Sequence, residues 1–338
     1  GVSLIVKNTQ KDFFLFSMSN KVTSVDLYGE EIDGRDFTMN PLTKSGKKLL
    51  VIKDKTPWVE NRIGYNYGAT RKDIMLVEKG RGGNATVQSY CTSASSPECY
   101  YCEVNPSSKI VKNIVFQRAS GSTKKTYLIM AENQYNVTLS NVDITTPDGS
   151  GLYGDKAIYM LNCVDVTLDG ITINGTYSLP KRFGYGVSLD NIYNLQVKNM
   201  YARANWGVFG NNNIHKAMLQ NCDINRFDVH CYGKDVSFEK CTFVDFYNQF
   251  SSIYGLISFK HCTFTRFTPV LIEGTYNAHT GFDIVFEDCT FNLDKDHTSI
   301  FSIFGMSKKE NSRPELKESC LPNISMLECR VNVPDGVE

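Results

Sequence analysis

The chain is 338 residues long, and its 36 lysines and arginines balance its 36 aspartates and glutamates. A formal net charge of zero gives no electrostatic reason to expect nucleic acid or an anionic membrane as a partner. No run of about 18 apolar residues occurs, so the sequence predicts no transmembrane helix.

The first part of the chain, residues 1–108, repeats less clearly than the remainder. Residues 23–28, 49–52 and 73–77 predict strands, with turn signals between them. The remainder of the chain predicts a solenoid, a stack of repeated coils. We interpret residues 1–108 as its N-terminal cap and irregular first coils, because a solenoid must cover its open end.

Three cysteines near the end of this part, Cys91, Cys99 and Cys102, lie in a stretch rich in Ser, Thr and Pro. If the protein is exported, Cys91 pairs with either Cys99 or Cys102 in a disulfide. A zinc site would need a fourth ligand, and the sequence places none nearby.

A repeated phrase occupies residues 109–332. It reads apolar–x–apolar–x–turn residue–apolar or Cys–x–apolar, as in VTLSNVDI at 137–144 and ISFKHCTF at 257–264. The turn residues are separated by 28, 29, 29, 22, 19, 21 and 27 residues, and they are Asn113, Asn141, Gly170, Asn199, Asn221, Lys240, His261 and Asp288. Such steps are typical of one coil of a β-solenoid. The period-2 alternation predicts strands with one buried face, which must pair in parallel with the coil before.

The register of the phrase predicts two buried columns. The residues directly after the turn form the first column, which is Val142, Ile171, Met200, Cys222, Cys241, Cys262, Cys289 and Cys329. The second column lies two residues later and holds Ile144, Ile173, Ile224, Phe243, Phe264 and Phe291. Free cysteine is among the most buried residue types, so the first column predicts a cysteine ladder of reduced packing thiols. The turn asparagines predict an asparagine ladder of stacked amides.

The turn asparagines and the phrases VTLSNVDI and VTLDGITI resemble the right-handed parallel β-helix, or pectin-lyase-like, superfamily over residues 109–332. The resemblance implies an all-β, single-domain right-handed parallel β-helix. Its irregular N-terminal cap would occupy residues 1–108, and its regular coils and C-terminal cap residues 109–338. A right-handed crossover is also the general preference for parallel strands. The resemblance further implies a polysaccharide or glycan partner, met in a secreted, periplasmic or cell-surface location.

In this superfamily, sites for polysaccharides lie on an outward sheet face, and a further strand before each phrase supplies such a face here. If Ile158, Val187, Val208 and Val229 point inward, the outward residues of one column are Tyr159, Ser188, Phe209 and His230. The next outward column then holds Asp190, Asn211, Tyr232, Tyr254 and Glu273. Residues 206–213, WGVFGNNN, form either a tight turn with an amide ladder or an edge that binds hydroxyls.

The segment RFDVHCYGK, residues 226–234, is the densest group of titratable side chains on this face. His230 is the candidate acid or base, and Asp228 would orient it. Arg226 and Lys234 would neutralise a uronate carboxylate and Tyr232 would donate to the leaving oxygen, as a lyase requires.

A hydrolase would instead need two carboxylates across the bond. Its candidates are Asp190, Asp228 and Glu273, because acids two coils apart approach the spacing of an inverting pair. Phe209, Asn211 and Tyr254 complete the set of candidate substrate-binding residues.

Two functions from different classes follow. The first is a carbohydrate-active enzyme, either a polysaccharide lyase or a glycoside hydrolase. The second is a non-catalytic glycan-binding, adhesin or tailspike-like β-helix. The Asn-x-Asp, Asp-Asp and Gly-His-Gly motifs of polygalacturonases do not match this sequence as a set, and no acidic cluster like that of pectate lyases stands out. We therefore predict no cofactor, and no residue pattern supports calcium. The sequence leaves the oligomeric state open.

Overall fold

A computed structural model describes the strands of the chain and some of the turns between them. The described residues are 2–6, 13–19, 22–25, 36–39, 47–59, 69–78, 85–88, 98–103, 107–118, 126–145, 157–174, 178–179, 182–183, 185–203, 207–230, 233–244, 248–250, 253–265, 268–273, 281–296, 299–304 and 322–335. Of the 30 strands in these residues, 22 pair in parallel with strands of neighbouring coils. The all-β solenoid predicted from the repeat is therefore confirmed.

Each coil contributes to three parallel sheets, which we number in the order in which a coil passes through them. Five long strands turn a corner and belong to more than one sheet: Lys109–Arg118, Tyr135–Thr145, Ile158–Asn174, Tyr185–Lys198 and Gly207–Gln220. Six strands lie in the first sheet only: Phe13–Ser19, Thr126–Glu132, Phe227–Val229, Asn248–Phe250, Val270–Glu273 and Phe301–Phe304.

The other two sheets are completed by short strands. Four lie in the second sheet: Gly233–Glu239, Ile253–Lys260, Gly281–Glu287 and Asn323–Leu327. Seven lie in the third sheet: Val2–Val6, Tyr201–Arg203, Asp223–Ile224, Thr242–Val244, Thr263–Thr265, Thr290–Asn292 and Arg330–Asn332.

The corner between the second and third sheets is made by the predicted turn residues. All eight have a positive φ, between 50° and 65°, and so does Glu328 in the last coil. This left-handed conformation suits Asn and Gly best, which explains their use in the earlier coils. Asn141 Nδ2 donates to Asn113 Oδ1 at 3.1 Å, as an amide ladder requires. Asn199 departs from the pattern, because it donates to Asp169 instead.

A second asparagine column lies at the corner between the first and second sheets. It consists of Asn133, Asn162, Asn191 and Asn213, all with positive φ. Each side-chain amide donates to the one before it, at 2.7, 2.7 and 2.8 Å. The last three of these side chains are buried, so the column satisfies polar groups inside the fold.

The interior is filled by the predicted inward residues. Stacked phenylalanines run through the later coils: Phe238, Phe259 and Phe286 form one stack, with ring centroids 4.7 and 4.9 Å apart. Phe243, Phe264 and Phe291 form a second stack, with centroids 5.1 Å apart in both steps. Such contacts add to the stabilisation that comes from burial.

Five cysteines occupy equivalent positions in successive coils: Cys222, Cys241, Cys262, Cys289 and Cys329. All five are free thiols, and the first four are buried. Each donates to a backbone carbonyl, as Cys262 does to Phe238 at 3.6 Å. The existence of one continuous cysteine ladder stays a prediction, although packing thiols fit these contacts.

The N-terminal part contributes both to the solenoid and to a separate sheet. Val2–Val6 pairs in parallel with residues of Lys109–Arg118, so this strand belongs to the solenoid. Four antiparallel strands then form a sheet: Val22–Val25, Glu98–Glu103, Lys47–Val59 and Ala69–Glu78. Two further antiparallel pairs are Asp36–Met39 with Ala85–Gln88, and Ser178–Leu179 with Arg182–Phe183. The division of the chain at residue 108 stays a prediction.

The four-stranded antiparallel sheet packs on the outer side of the second solenoid sheet. Leu49, Val51 and Ile74 form a buried cluster with Val164 of the solenoid, and Tyr193 packs against it. Cys102 joins this cluster as a free, buried thiol that donates to Asn133 at 3.2 Å. A disulfide between Cys91 and Cys102 is therefore wrong. The Cys91–Cys99 alternative lies outside the described residues and side chains.

No helix among the described residues is both long and apolar enough to cross a membrane.

Candidate functional site

The outer side of the first sheet carries the candidate site. Strand register aligns Ser188 with Gly210 and Gly210 with Asp228, so these three form one outward column. Asp190 lies beside Asn212, and the same register places His230 next in that column. Asp228 and His230 therefore project from the same face, but His230 lies in the column of Asp190 and not in that of Ser188, where it was predicted.

Phe209 and Asn211 do not lie on this face, contrary to the prediction. Val187 pairs with Phe209, not with Val208, so the predicted register was off by one residue. A slip of one residue moves every side chain to the opposite face of a strand. Phe209 is accordingly fully buried and packs on Phe227, with ring centroids 5.0 Å apart. Asn211 also points inward and is fully buried.

Asp228 projects outward, yet it is completely shielded from solvent. Its Oδ2 lies 2.5 Å from Nε of Arg226, which is also fully buried. Burial raises the pKa of this carboxyl, but the charge of Arg226 and the hydrogen bonds from His230 and Arg226 outweigh it, so the pKa is lowered. Arg226 therefore serves as the buried counter-ion of Asp228. Its predicted direct contact with a uronate would need exposure that the structure does not give it.

Tyr185 covers the carboxylate and links it to the histidine. Its hydroxyl donates to Asp228 Oδ2 at 2.7 Å and lies 3.0 Å from Nε2 of His230. The His230 Nε2 atom lies 3.5 Å from the same carboxylate oxygen. The side chain of His230 is 19% exposed, whereas that of Asp228 is 0% exposed. The histidine and the half-buried tyrosine are thus accessible to a ligand, whereas the carboxylate is not.

Two glycines make room for these side chains. A Cβ at Gly207 would come within 2.7 Å of Cδ of Arg226, and one at Gly210 within 2.3 Å of Cδ2 of Tyr185. Both glycines lie within the strand Gly207–Gln220, and neither has a positive φ. Close approach of neighbouring side chains therefore explains these glycines. Asn213 of the same segment belongs to the buried amide column, which supports an amide ladder at this point.

The remaining candidates are distributed differently from the prediction. Lys234 pairs with His215 and Tyr254, so Lys234 and Tyr254 lie in the second sheet, around the corner from His230. The first-sheet strand of that coil is Asn248–Phe250, not the stretch that includes Tyr254. Glu273 ends a first-sheet strand, although its side chain lies outside the described set. Tyr232 also lies outside the described residues.

Comparison with known proteins gives a likeness in fold. The tailspike protein gp49 of Pseudomonas phage LKA1 matches with a TM-score of 0.60 and 14% identity, over 85% of this chain and 50% of the tailspike. The tailspike gp61 of Pseudomonas phage phi297 matches with a TM-score of 0.58 and 13% identity, over 98% of this chain and 61% of that one. This chain is a right-handed parallel β-helix. The parallel β-helix fold that the sequence resemblance implied is thereby confirmed.

This β-helix spans about half to three fifths of the length of the two tailspikes it matches. No family model matches the sequence, and no curated protein matches it either. The structural similarity therefore establishes the fold only. Any chemical activity has to be inferred from the side chains of the first sheet.

The group around His230 is suited to moving a proton. Imidazole exchanges protons near neutral pH, and a carboxylate and a hydroxyl hold one side of this ring. Among the described residues, no group of three or more His, Cys, Asp or Glu side chains is arranged to hold a metal ion.

Sequence reasoning missed Tyr185, which touches both Asp228 and His230. The available signal was Gly210, because a glycine inside a strand marks a close approach of another group.

Proposed function

We propose that this β-helix acts on a polysaccharide at the outer side of its first sheet, with His230 as the group that transfers a proton. The supporting observation is the arrangement of His230: it is partly exposed, and its Nε2 is held by the Tyr185 hydroxyl and Asp228. A positioned histidine contributes about 10²–10⁴-fold to a reaction that moves a proton. The glycan partner comes from the superfamily resemblance in the sequence, and the two matched phage tailspikes share the fold.

Cleavage by elimination fits this arrangement better than hydrolysis. Elimination needs a base at the proton beside a uronate carboxylate, and His230 can be that base. Hydrolysis needs two carboxylates about 5–10 Å apart. The strand positions of Asp190 and Glu273 are four coils apart, or about 19 Å at about 4.8 Å per coil. Asp228 is buried and bound to Arg226, so it is poorly placed as a partner for either acid.

A degradation screen tests this proposal. Uronate-containing and neutral polysaccharides are incubated with the protein, and both reducing ends and ultraviolet absorbance of unsaturated ends are followed. We expect both signals from a uronate polymer, and a loss of roughly 10²-fold or more in His230→Gln. His261→Gln is the matched control, because His261 is also paired with an aspartate, Asp288 at 2.9 Å, but lies at a different corner.

Each outcome of the screen has a separate meaning. Equal loss in both histidine variants would point to a general defect and contradict a role for His230. Reducing ends without absorbance would replace elimination by hydrolysis. Cleavage that persists in His230→Gln would remove the proposed site.

A second candidate is a glycan-binding surface that does not cleave. It is favoured by the complete burial of Asp228, which leaves Asp190, Asn212 and His230 as a partly exposed polar row. Such a row can form hydrogen bonds with sugar hydroxyls. Retention of a polysaccharide on immobilised protein, without any product in the screen, would support binding. Loss of retention in Asp190→Ala and Asn212→Ala would locate it on this row.

A further inference from the structure

Tyr185 makes contacts that go beyond filling space. Its hydroxyl reaches two groups at once, Asp228 Oδ2 at 2.7 Å and His230 Nε2 at 3.0 Å. Its ring meets that of His230 edge to face, with centroids 5.6 Å apart and planes inclined by 67°. The tyrosine therefore restricts both the position and the rotation of the imidazole.

The hydrogen-bond roles in this group can be assigned from proton counting. Asp228 is ionised beside Arg226, so it accepts, and the only proton of the Tyr185 hydroxyl goes to it. The hydroxyl oxygen can then only accept from His230, which requires a proton on Nε2. A neutral imidazole with its proton on Nε2 carries its lone pair on Nδ1.

The position of the Tyr185 ring depends on Gly210 in the next coil. A Cβ on Gly210 would lie 2.3, 2.5 and 2.7 Å from three ring atoms of Tyr185. Any side chain at this position would push the ring away, and with it the hydroxyl. Gly210 has no left-handed φ, so a substitution there strains the contact with Tyr185 and not its own backbone.

We propose that Tyr185 is a positioning residue that fixes the proton of neutral His230 on Nε2, and that Gly210 is required to seat it. The effect on catalysis rests on the proposed function, whereas the effect on the imidazole can be measured without any substrate.

Nitrogen-15 NMR of the histidine side chains tests the assignment directly, with His230→Gln identifying the His230 signals. We expect the wild-type protein to show the Nε2-protonated form of neutral His230. Tyr185→Phe removes only the hydroxyl and should give a mixture of both tautomers. Gly210→Ala should give the same change, because it displaces the ring. Ser188→Ala, which is next to Gly210 in the same column, is the control and should leave the signals unchanged.

A double variant shows whether Gly210 acts through the tyrosine. Gly210→Ala should lower the thermal midpoint in the wild-type background but have little effect beside Tyr185→Ala, where the ring is gone. Persistence of one unchanged tautomer in both Tyr185→Phe and Gly210→Ala would overturn the proposal.

Activity measurements separate this proposal from the proposed function. If a polysaccharide is cleaved, Tyr185→Phe should lower kcat and leave KM within about twofold. A changed tautomer in a protein that cleaves nothing would support the positioning role and reject proton-transfer catalysis. An unchanged kcat alongside a changed tautomer would show that the orientation of His230 does not serve the reaction.

Discussion

The carboxylate oxygen Oδ1 of Asp73 lies 3.4 Å from Nε2 of His215. Asp73 belongs to the antiparallel N-terminal sheet, and His215 projects from the second sheet of the solenoid, where it is aligned with Tyr193. Both side chains are buried. This polar contact lies beside the apolar cluster that attaches the N-terminal sheet to the coils.

Acid should therefore destabilise the protein through His215. Burial lowers its pKa from 6.5 to about 3, and the charges of Lys234 and Lys216 act in the same direction. The unfolded chain takes up the proton once the pH falls below 6.5, whereas the folded protein takes it up only near pH 3. The free energy of unfolding should thus fall by about 1.4 kcal/mol per pH unit between these values, as measured by urea unfolding at several pH values.

Two variants provide the comparison for this pH dependence. His215→Gln keeps an amide near Asp73 but cannot titrate. The slope of its unfolding free energy against pH should therefore be smaller by the contribution of one proton, about 1.4 kcal/mol per pH unit. His261→Gln removes an exposed histidine at a different corner and is measured alongside as the variant that keeps the contact between Asp73 and His215. A wild-type slope in His215→Gln would mean that His215 is protonated equally in both states.

Asn211 should be a point at which the protein can be made more stable. Neither polar atom of its buried side-chain amide has a hydrogen-bond partner among the described residues. Its neighbours in the inward column are Leu189 and Val229. Asn211→Leu removes the unsatisfied amide, and we expect the free energy of unfolding to rise by about 1–2 kcal/mol in chemical denaturation.

Asn191→Leu is the matched comparison for that change. Asn191 is also buried, but its amide donates to Asn162 and accepts from Asn213, and its φ is 55°. The same substitution should cost about 2–4 kcal/mol there, because it breaks two hydrogen bonds and forces leucine into the left-handed region. A loss of similar size at Asn211 would show that its amide is satisfied by water.

Phe259 should be among the most sensitive positions of the core. Its ring stacks between Phe238 and Phe286, inclined by 5° and 6° to them. Phe259→Ala should lower the free energy of unfolding by about 3–5 kcal/mol, since the cavity opens in the middle of the stack. Leu256→Ala, three residues away at an exposed site, should change it by less than about 0.5 kcal/mol. Equal effects would mean that the stack contributes little.

The sequence was sufficient to predict the coils because the repeat is set by local conformation. Residues as different as Gly170, Lys240 and His261 all adopt the same left-handed turn. The period-2 pattern on either side then determines which side chains are buried. These two local features do not depend on contacts far along the chain.

The candidate site was predicted less well because the strands of the first sheet were aligned by the similarity of their residues. Val187 and Val208 each follow a glycine, yet the structure pairs Val187 with Phe209. The correct register was available from the second asparagine column. Its members Asn133, Asn162, Asn191 and Asn213 each lie eight residues before Asn141, Gly170, Asn199 and Asn221, respectively.

The burial of Asp228 had only a partial signal in the sequence, because Gly207 and Gly210 mark a close approach but do not identify the side chains that lie over them. It results from the Tyr185 ring and the Arg226 side chain, which arrive from different coils and lie over glycines. Side chains that meet across coils through variable connections cannot be paired from spacing alone. Arg226 and Asp228 were therefore interpreted as exposed groups, although together they form a buried ion pair.

Removing one charge of the Arg226–Asp228 pair should lower the free energy of unfolding strongly, whereas replacing both residues should lower it little. Asp228→Asn leaves the guanidinium of Arg226 buried without its counter-charge, and we expect a loss of about 3–5 kcal/mol in the free energy of unfolding. Arg226→Met with Asp228→Leu removes both charges and should recover most of that loss, because neither desolvated ion remains. Chemical denaturation of the wild type, Arg226→Met, Asp228→Leu and the double variant measures this coupling. Additive losses would show that the two charges act independently. They would contradict the role of Arg226 as the counter-ion of Asp228.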